Sequence, residues 1–326
     1  MIIHKNLRTF SLIKMNPTFP QDITKNYFIM KKLLFLALLL FSTSSLFAQD
    51  SLLSYQPKVL LVTAHPDDDA LFSATIFKTT KLLGGIVDLA LMTNGEGGYT
   101  YSTLGNYIYG LELDKEEIGR QYLPGIRKKE LMAGGDIVGI RNYFFFDQPD
   151  FYYTEDVEET LGKWNNDWVH ERLVEIMEKG DYDFLFLMLP FDEFHGHHKA
   201  SAVLALRAMK ELPKENRPIA LQAFVRRGAD DPGISFTQLE GHPDTKVMEG
   251  EIFEFDRNQP FGANDRLNYN IIANWVIAEH KSQGTMQLFM QNSTGIIEQY
   301  WYNEINGEEG LDKTAKFFEA VNAVEP

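Results

Sequence analysis

Apolar and polar positions follow two rhythms along the chain. Continuous apolar runs at 58–63, 86–92, 142–146 and 183–189 are bounded by Gly, Pro, Asn or Asp and read as buried strands. Between them, 70–77, 125–138, 167–179 and 199–212 carry apolar residues at helical spacing. Alternation of this kind predicts an α/β fold, a mostly parallel sheet with helices on both faces. Beyond residue 217 the pattern changes to strands at 219–225, 247–255 and 296–302 with helices at 267–280 and 311–321. This part is expected to be a β-rich extension that completes the sheet and walls a substrate site. The long stretch 99–125 reads as a loop, because Tyr and Gly interrupt every period in it.

In parallel sheets of this kind ligands bind beyond the carboxyl ends of the strands. Three polar loops fall there. The first is Ala64-His65-Pro66-Asp67-Asp68-Asp69 after the first strand. One Asp at a helix start is ordinary, since the first N–H groups lack partners. Three in a row beside a His repel one another, and a bound cation removes that conflict. The second loop is Thr93-Asn94-Gly95-Glu96-Gly97-Gly98-Tyr99, and the third is Phe191 to His198, with His195, His197 and His198. Their convergence on one rim favours a metal site. Arg127 and Glu130 lie three apart on a helix, a spacing that suits either mutual pairing or a substrate role. His280-Lys281-Ser282-Gln283 reads equally as helix capping or as another element of the rim.

Composition narrows the classes. With no cysteine, disulfides, thiolate metal sites and a cysteine nucleophile are excluded. No Gly-x-Gly-x-x-Gly follows the first strand, so a dinucleotide fingerprint is absent. Met30-Lys31-Lys32, the apolar run 33–41 and the small residue Ala48 form the pattern of a secretory signal peptide at 30–48. Met30 is then the expected start, with 1–29 an upstream segment outside the fold. The expected core is 49–216 and the extension 217–326. Cleavage after Ala48 leaves 25 Lys/Arg against 45 Asp/Glu, a net charge of −20. Nucleic acid and anionic membranes are poor partners for such a chain, and no membrane span is expected after cleavage. The expected location is exported, periplasmic or secreted.

Four stretches together resemble the PIG-L (LmbE-like) family of zinc-dependent de-N-acetylases. They are the His65-Pro66-Asp67-Asp68 run, Thr93 to Glu96, Arg127-Lys128-Lys129-Glu130 with Ala133, and His195-Gly196-His197-His198-Lys199-Ala200, all within 58–212. The resemblance implies a Rossmann-like fold, one zinc ion, and hydrolysis of an N-acetyl group on an aminosugar or glycoconjugate. It implies His65, Asp68 and His198 as metal ligands, Asp67 as general base and His195 as the group that stabilises or protonates the intermediate. Asn94, Glu96 and Arg127 are then expected to bind substrate. The chain departs from the family at His197, where the family has Asp. His197 in place of His198 as ligand is the alternative register, and Asp192 or Glu193 are candidates to replace the missing carboxylate. A non-catalytic carbohydrate-binding protein on the same fold, or a zinc hydrolase of another amide or ester, are the alternatives in function.

Overall fold

The computed structural model describes residues 56–228, 230–291 and 296–326; the expected leader at 30–48 lies outside them. The strands are β1 (Lys58–Thr63), β2 (Ile86–Thr93), β3 (Ile140–Gln148), β4 (Phe184–Met188), β5 (Ile219–Arg227), β6 (Val247–Asp256), the short pair β7 (Pro260–Phe261) and β8 (Leu267–Asn268), and β9 (Ile296–Asn303). Seven of them make one sheet in the order β3-β2-β1-β4-β5-β9-β6. The first five are mutually parallel; β9 adds antiparallel to β5, and β6 adds antiparallel to β9. The fold is therefore the expected α/β architecture with C-terminal strands completing the sheet.

Both faces of the sheet are covered, which is why its central strands are apolar throughout. Val59 and Leu61 pack on one face with Phe72, Phe186, Tyr300 and Phe317. Leu60 and Val62 pack on the other with Leu185, Val203 and Leu206. The helices are α1 (Ser73–Phe77), α2 (Thr103–Tyr109), α3 (Glu116–Val138), α4 (Val157–Lys163), α5 (Asn166–Gly180), α6 (Gly196–Glu211), α7 (Asn270–Glu279), α8 (Gly284–Gln291) and α9 (Leu311–Ala323). The strand order reverses between β1 and β4, so a crevice opens beyond their carboxyl ends. The loops carrying His65 and His195 leave from these two strands.

Two elements differ from the sequence expectation. The helix expected at 70–77 is divided into a 3-10 turn at Asp68–Phe72 and α1. The stretch 99–125 is largely helical, with α2 inside it and α3 beginning at Glu116. Gly119 and Pro124 read as breakers, yet both lie in α3. A Cβ on Gly119 would meet Tyr99 Cβ at 2.3 Å and the Leu113 carbonyl at 2.4 Å. Glycine there lets the helix press against the loop that lines the site.

Lys78 is fully buried behind this region. Its Nζ donates to Gln259 Oε1 at 2.6 Å and lies over the Phe255 and Tyr269 rings. Burial lowers its pKa to about 8. The unfolded chain then binds more protons between pH 8 and the ordinary lysine range, so stability rises as pH climbs through that window. The urea midpoint is expected to be higher at pH 9.5 than at pH 7.5, and Lys78→Met to flatten the difference.

Candidate active site

The turn after β1 is built around its acidic residues. Asp68 Oδ2 accepts the backbone N–H groups of Ala64 at 2.9 Å and His65 at 2.8 Å, which folds the turn onto its own carboxylate. Asp67 sits at φ 156°, ψ −15°, a conformation L residues rarely adopt. Arg127 on α3 holds it there. Its Nη2 donates to Asp67 Oδ2 at 2.8 Å and to the Pro66 carbonyl at 2.9 Å, and its Nη1 to the Gly95 carbonyl at 2.7 Å.

The repulsion among three successive carboxylates is resolved by giving each a different partner. Asp67 pairs with Arg127. Asp68 Oδ1 lies 3.1 Å from His198 Nε2. Asp69 Oδ1 faces the wholly buried His280 Nε2 at 3.5 Å. Burial disfavours the His280 imidazolium, but the Asp69 carboxylate outweighs it and raises the His280 pKa. His280 therefore does more than follow α7, for it faces Asp69 in the acidic turn. Burial raises the Asp67 pKa to about 6 against the pull of Arg127. Burial opposes the charged form of Asp68 too, yet His198 and the two backbone N–H groups bring its pKa below the ordinary value.

His65 stands at the centre of the histidines. Its Nδ1 is 3.0 Å from His198 Nε2, and its Nε2 is 3.0 Å from His197 Nδ1. Burial, then the neighbouring histidines, push the His65 pKa well down, so the ring is neutral and its lone pair available. Two triads share it. His65, Asp68 and His198 bring one donor atom each within 4.8 Å of one another, and so do His65, His195 and His197. The first is the expected ligand set and mixes nitrogen with carboxylate oxygen, a donor set that suits zinc. Its residues fit a divalent ion: His198 Nε2 lies 3.0 Å from His65 Nδ1 and 3.1 Å from Asp68 Oδ1, so two imidazole nitrogens and a carboxylate oxygen meet at one point.

Together Asp67, Asp68, Arg127, His65, His195 and His198 line one cavity of about 610 Å³. Residues 60–209 match the model of the PIG-L family, described as GlcNAc-PI de-N-acetylase. These residues form a PIG-L domain.

The probable N-acetyl-alpha-D-glucosaminyl L-malate deacetylase 2 of Bacillus cereus is 24% identical over 196 residues, 60% of this chain and 77% of that protein. The N-acetylglucosaminyl-phosphatidylinositol de-N-acetylase of Bos taurus is 31% identical over 176 residues, 51% of this chain and 56% of that protein. Among solved structures, the N,N'-diacetylchitobiose deacetylase from Pyrococcus horikoshii aligns with 24% identity over 47% of this chain and 49% of that one, with a TM-score of 0.34. The chain thus spans about half the length of the bovine relative and of the Pyrococcus protein.

Two residues expected to bind substrate sit differently in the PIG-L domain. Asn94 and Glu96 do not line the cavity. Glu96 Oε1 accepts the Asp150 N–H at 2.9 Å, while Gly97 N–H donates to Asp150 Oδ2 at 3.0 Å. Asp150 thus fixes the loop, and it is Gly97, Gly98 and Tyr99 of the loop that line the cavity. Arg127 and Glu130 do not pair with each other. Glu130 accepts the Ser282 N–H at 2.7 Å, the Ser282 hydroxyl at 2.6 Å and the Tyr109 hydroxyl at 2.5 Å, which ties α3 to α2 and to the chain after α7.

Asp150 is the residue that sequence reasoning missed. Its Oδ1 lies 3.5 Å from His197 Nδ1, where the family's missing carboxylate would be sought, whereas Asp192 and Glu193 are exposed. The signal was available, since Asp150 follows β3 and so belongs to a loop on the same rim. Burial, against Arg127, raises its pKa to about 6. Gln283 and Arg257 also line the cavity and lie outside the PIG-L domain.

Proposed function

We propose that this protein is a zinc-dependent hydrolase that removes the N-acetyl group from an aminosugar or aminosugar conjugate. The observation that carries the reading is the convergence of His65, Asp68 and His198 beside Asp67 at one cavity inside a PIG-L domain. The names of both curated relatives, each a deacetylase of an N-acetylglucosaminyl compound, support the sugar.

His65, Asp68 and His198 would hold the ion. When bound, zinc supplies Lewis acidity toward a carbonyl and a more acidic water. Hydrolysis adds water across the amide C–N bond and yields acetate and a free amine. Asp67 takes the proton from the attacking water, through the carboxylate oxygen that Arg127 leaves open. The same carboxyl then returns the proton to the departing nitrogen. His195 is the N-cap of α6, and its Nδ1 accepts the His197 N–H at 3.2 Å. The ring proton is thereby on Nε2, where it donates to the carbonyl oxygen as charge develops. Burial, then His198, lowers the His195 pKa to about 4, so it acts as a neutral donor.

The basic start and apolar run at 30–48 support export, and no helix among the described residues is long and apolar enough to cross a membrane. Metal analysis tests the site. The protein is expected to hold about one zinc, and His65→Ala and His198→Ala to lose it. His197→Ala, which removes a neighbour of His65, is expected to weaken binding about 10- to 100-fold. The reverse order for the His197 and His198 variants would move the site to the other triad. Loaded protein that releases no acetate from a panel of N-acetylglucosaminyl compounds would end the deacetylase reading.

A further inference from the structure

The cavity is lined by a few polar side chains, among them Arg127, Asp150 and Gln283, and by a larger apolar set, its apolar wall, that includes Leu71, Phe194, Val225, Ile277, Met286 and Ile296. Arg257 also reaches this wall, but its Nε is held by Glu298 at 2.7 Å and its Nη2 by the Ala70 and Leu71 carbonyls, each at 2.8 Å.

The apolar wall begins at the metal site itself. The Phe194 ring lies 4.2 Å from the ring of His198, centroid to centroid. It stacks on Phe191 at 4.6 Å and meets Phe224 edge-on at 5.4 Å. Val225 continues the strand face that carries Leu221 and Ala223 into the core. Sugar hydroxyls turned to this wall would be buried without partners, at a cost of about 1–3 kcal/mol each, so they belong beside Arg127, Asp150 and Gln283. The carbonyl under attack must lie at His65, Asp68 and His198, next to the Phe194 ring, and the apolar side chains there suit an apolar acyl group better than a hydroxyl.

We infer that this chamber is an acyl-chain subsite, and that the preferred substrate carries an apolar N-acyl chain longer than acetyl. The inference rests on the amide-hydrolase reading and names its acyl group. Water adds across the amide bond as before, and the products are a longer carboxylate and the free amine.

The experiment uses the full chain and glucosamine N-acylated with acetyl, butyryl, hexanoyl and octanoyl groups. Binding to metal-free protein is measured by calorimetry, and turnover of the zinc-loaded protein by release of primary amine. Affinity and kcat/KM are both expected to rise roughly fourfold for each added methylene until the chamber is full. Val225→Trp and Ile296→Trp, which fill the chamber from two strands, are expected to flatten the rise. If either variant fails to fold, the other and the wild-type series still decide.

Turnover of the acetyl compound with a flat or falling series would overturn the acyl subsite and leave the hydrolase reading intact. A rise in calorimetric affinity with no turnover of any compound would sustain the subsite and remove the hydrolase reading. A gain from an octyl chain on the anomeric oxygen, with none from the acyl chain, would also overturn the inference.

Discussion

Asp67→Asn is expected to lower kcat by about two to four orders of magnitude, the usual weight of a positioned general base, while the zinc content stays unchanged. The variant isolates the proton transfer because little else changes. The amide oxygen of Asn still accepts from Arg127 Nη2, which now bonds the carboxylate at 2.8 Å. Asn also matches Asp in shape, so the rare backbone angle of φ 156° at this position is asked of no bulkier side chain. Ala would release both Arg127 and the strained turn and would confuse loss of the base with loss of shape. Metal content, thermal melting and single-turnover rates together make the measurement. Full activity with Asn in place would remove Asp67 from the proton path and leave His195 as the candidate.

Glu298→Ala is expected to destabilise the protein by about 3–5 kcal/mol, the usual cost of stripping one partner from a buried ion pair. Glu298 is wholly buried and meets Arg257 Nε at 2.7 Å. It also accepts the backbone N–H groups of Ala74 and Thr75, each at 3.0 Å, and the Thr75 hydroxyl at 2.6 Å. Removing it leaves a buried guanidinium without a counter-charge and uncaps α1. Because Arg257 also binds the Ala70 and Leu71 carbonyls, the damage reaches the turn that carries Asp68. Total stabilities of 5–15 kcal/mol make this a large fraction. Urea unfolding at neutral pH gives the value, and Glu298→Gln, which keeps acceptor capacity, is expected to cost less. A loss below about 1 kcal/mol for the Ala variant would show that β9 does not clamp the turn.

These expectations also show where the sequence was legible. Strands such as Val59 to Thr63 announce themselves because a strand buried on both faces must be apolar at every position. The rim loops follow from that, because strand-end loops of a parallel sheet share one edge. His65 and Asp68 lie three apart in a single turn, so their proximity is local and visible in the chain. Residues 99–125 were opaque for a specific reason. Gly119 breaks a helical pattern on paper, but α3 needs it to pack against Tyr99 and the Leu113 carbonyl.

By itself, then, the sequence determined the alternation of strands and helices, the edge on which chemistry collects, and the turn that carries the acidic run. Only the tertiary structure decided which partner each carboxylate receives. Asp67 finds Arg127 across 60 residues, Asp68 finds His198, and Asp69 finds His280. Asp150 stands opposite His197, and Glu298 opposite Arg257. Such pairings depend on the reversal of strand order between β1 and β4 and on where β9 joins the sheet. Neither is encoded in local spacing, since burial of a charge is tolerated only where the complete fold supplies its counterpart.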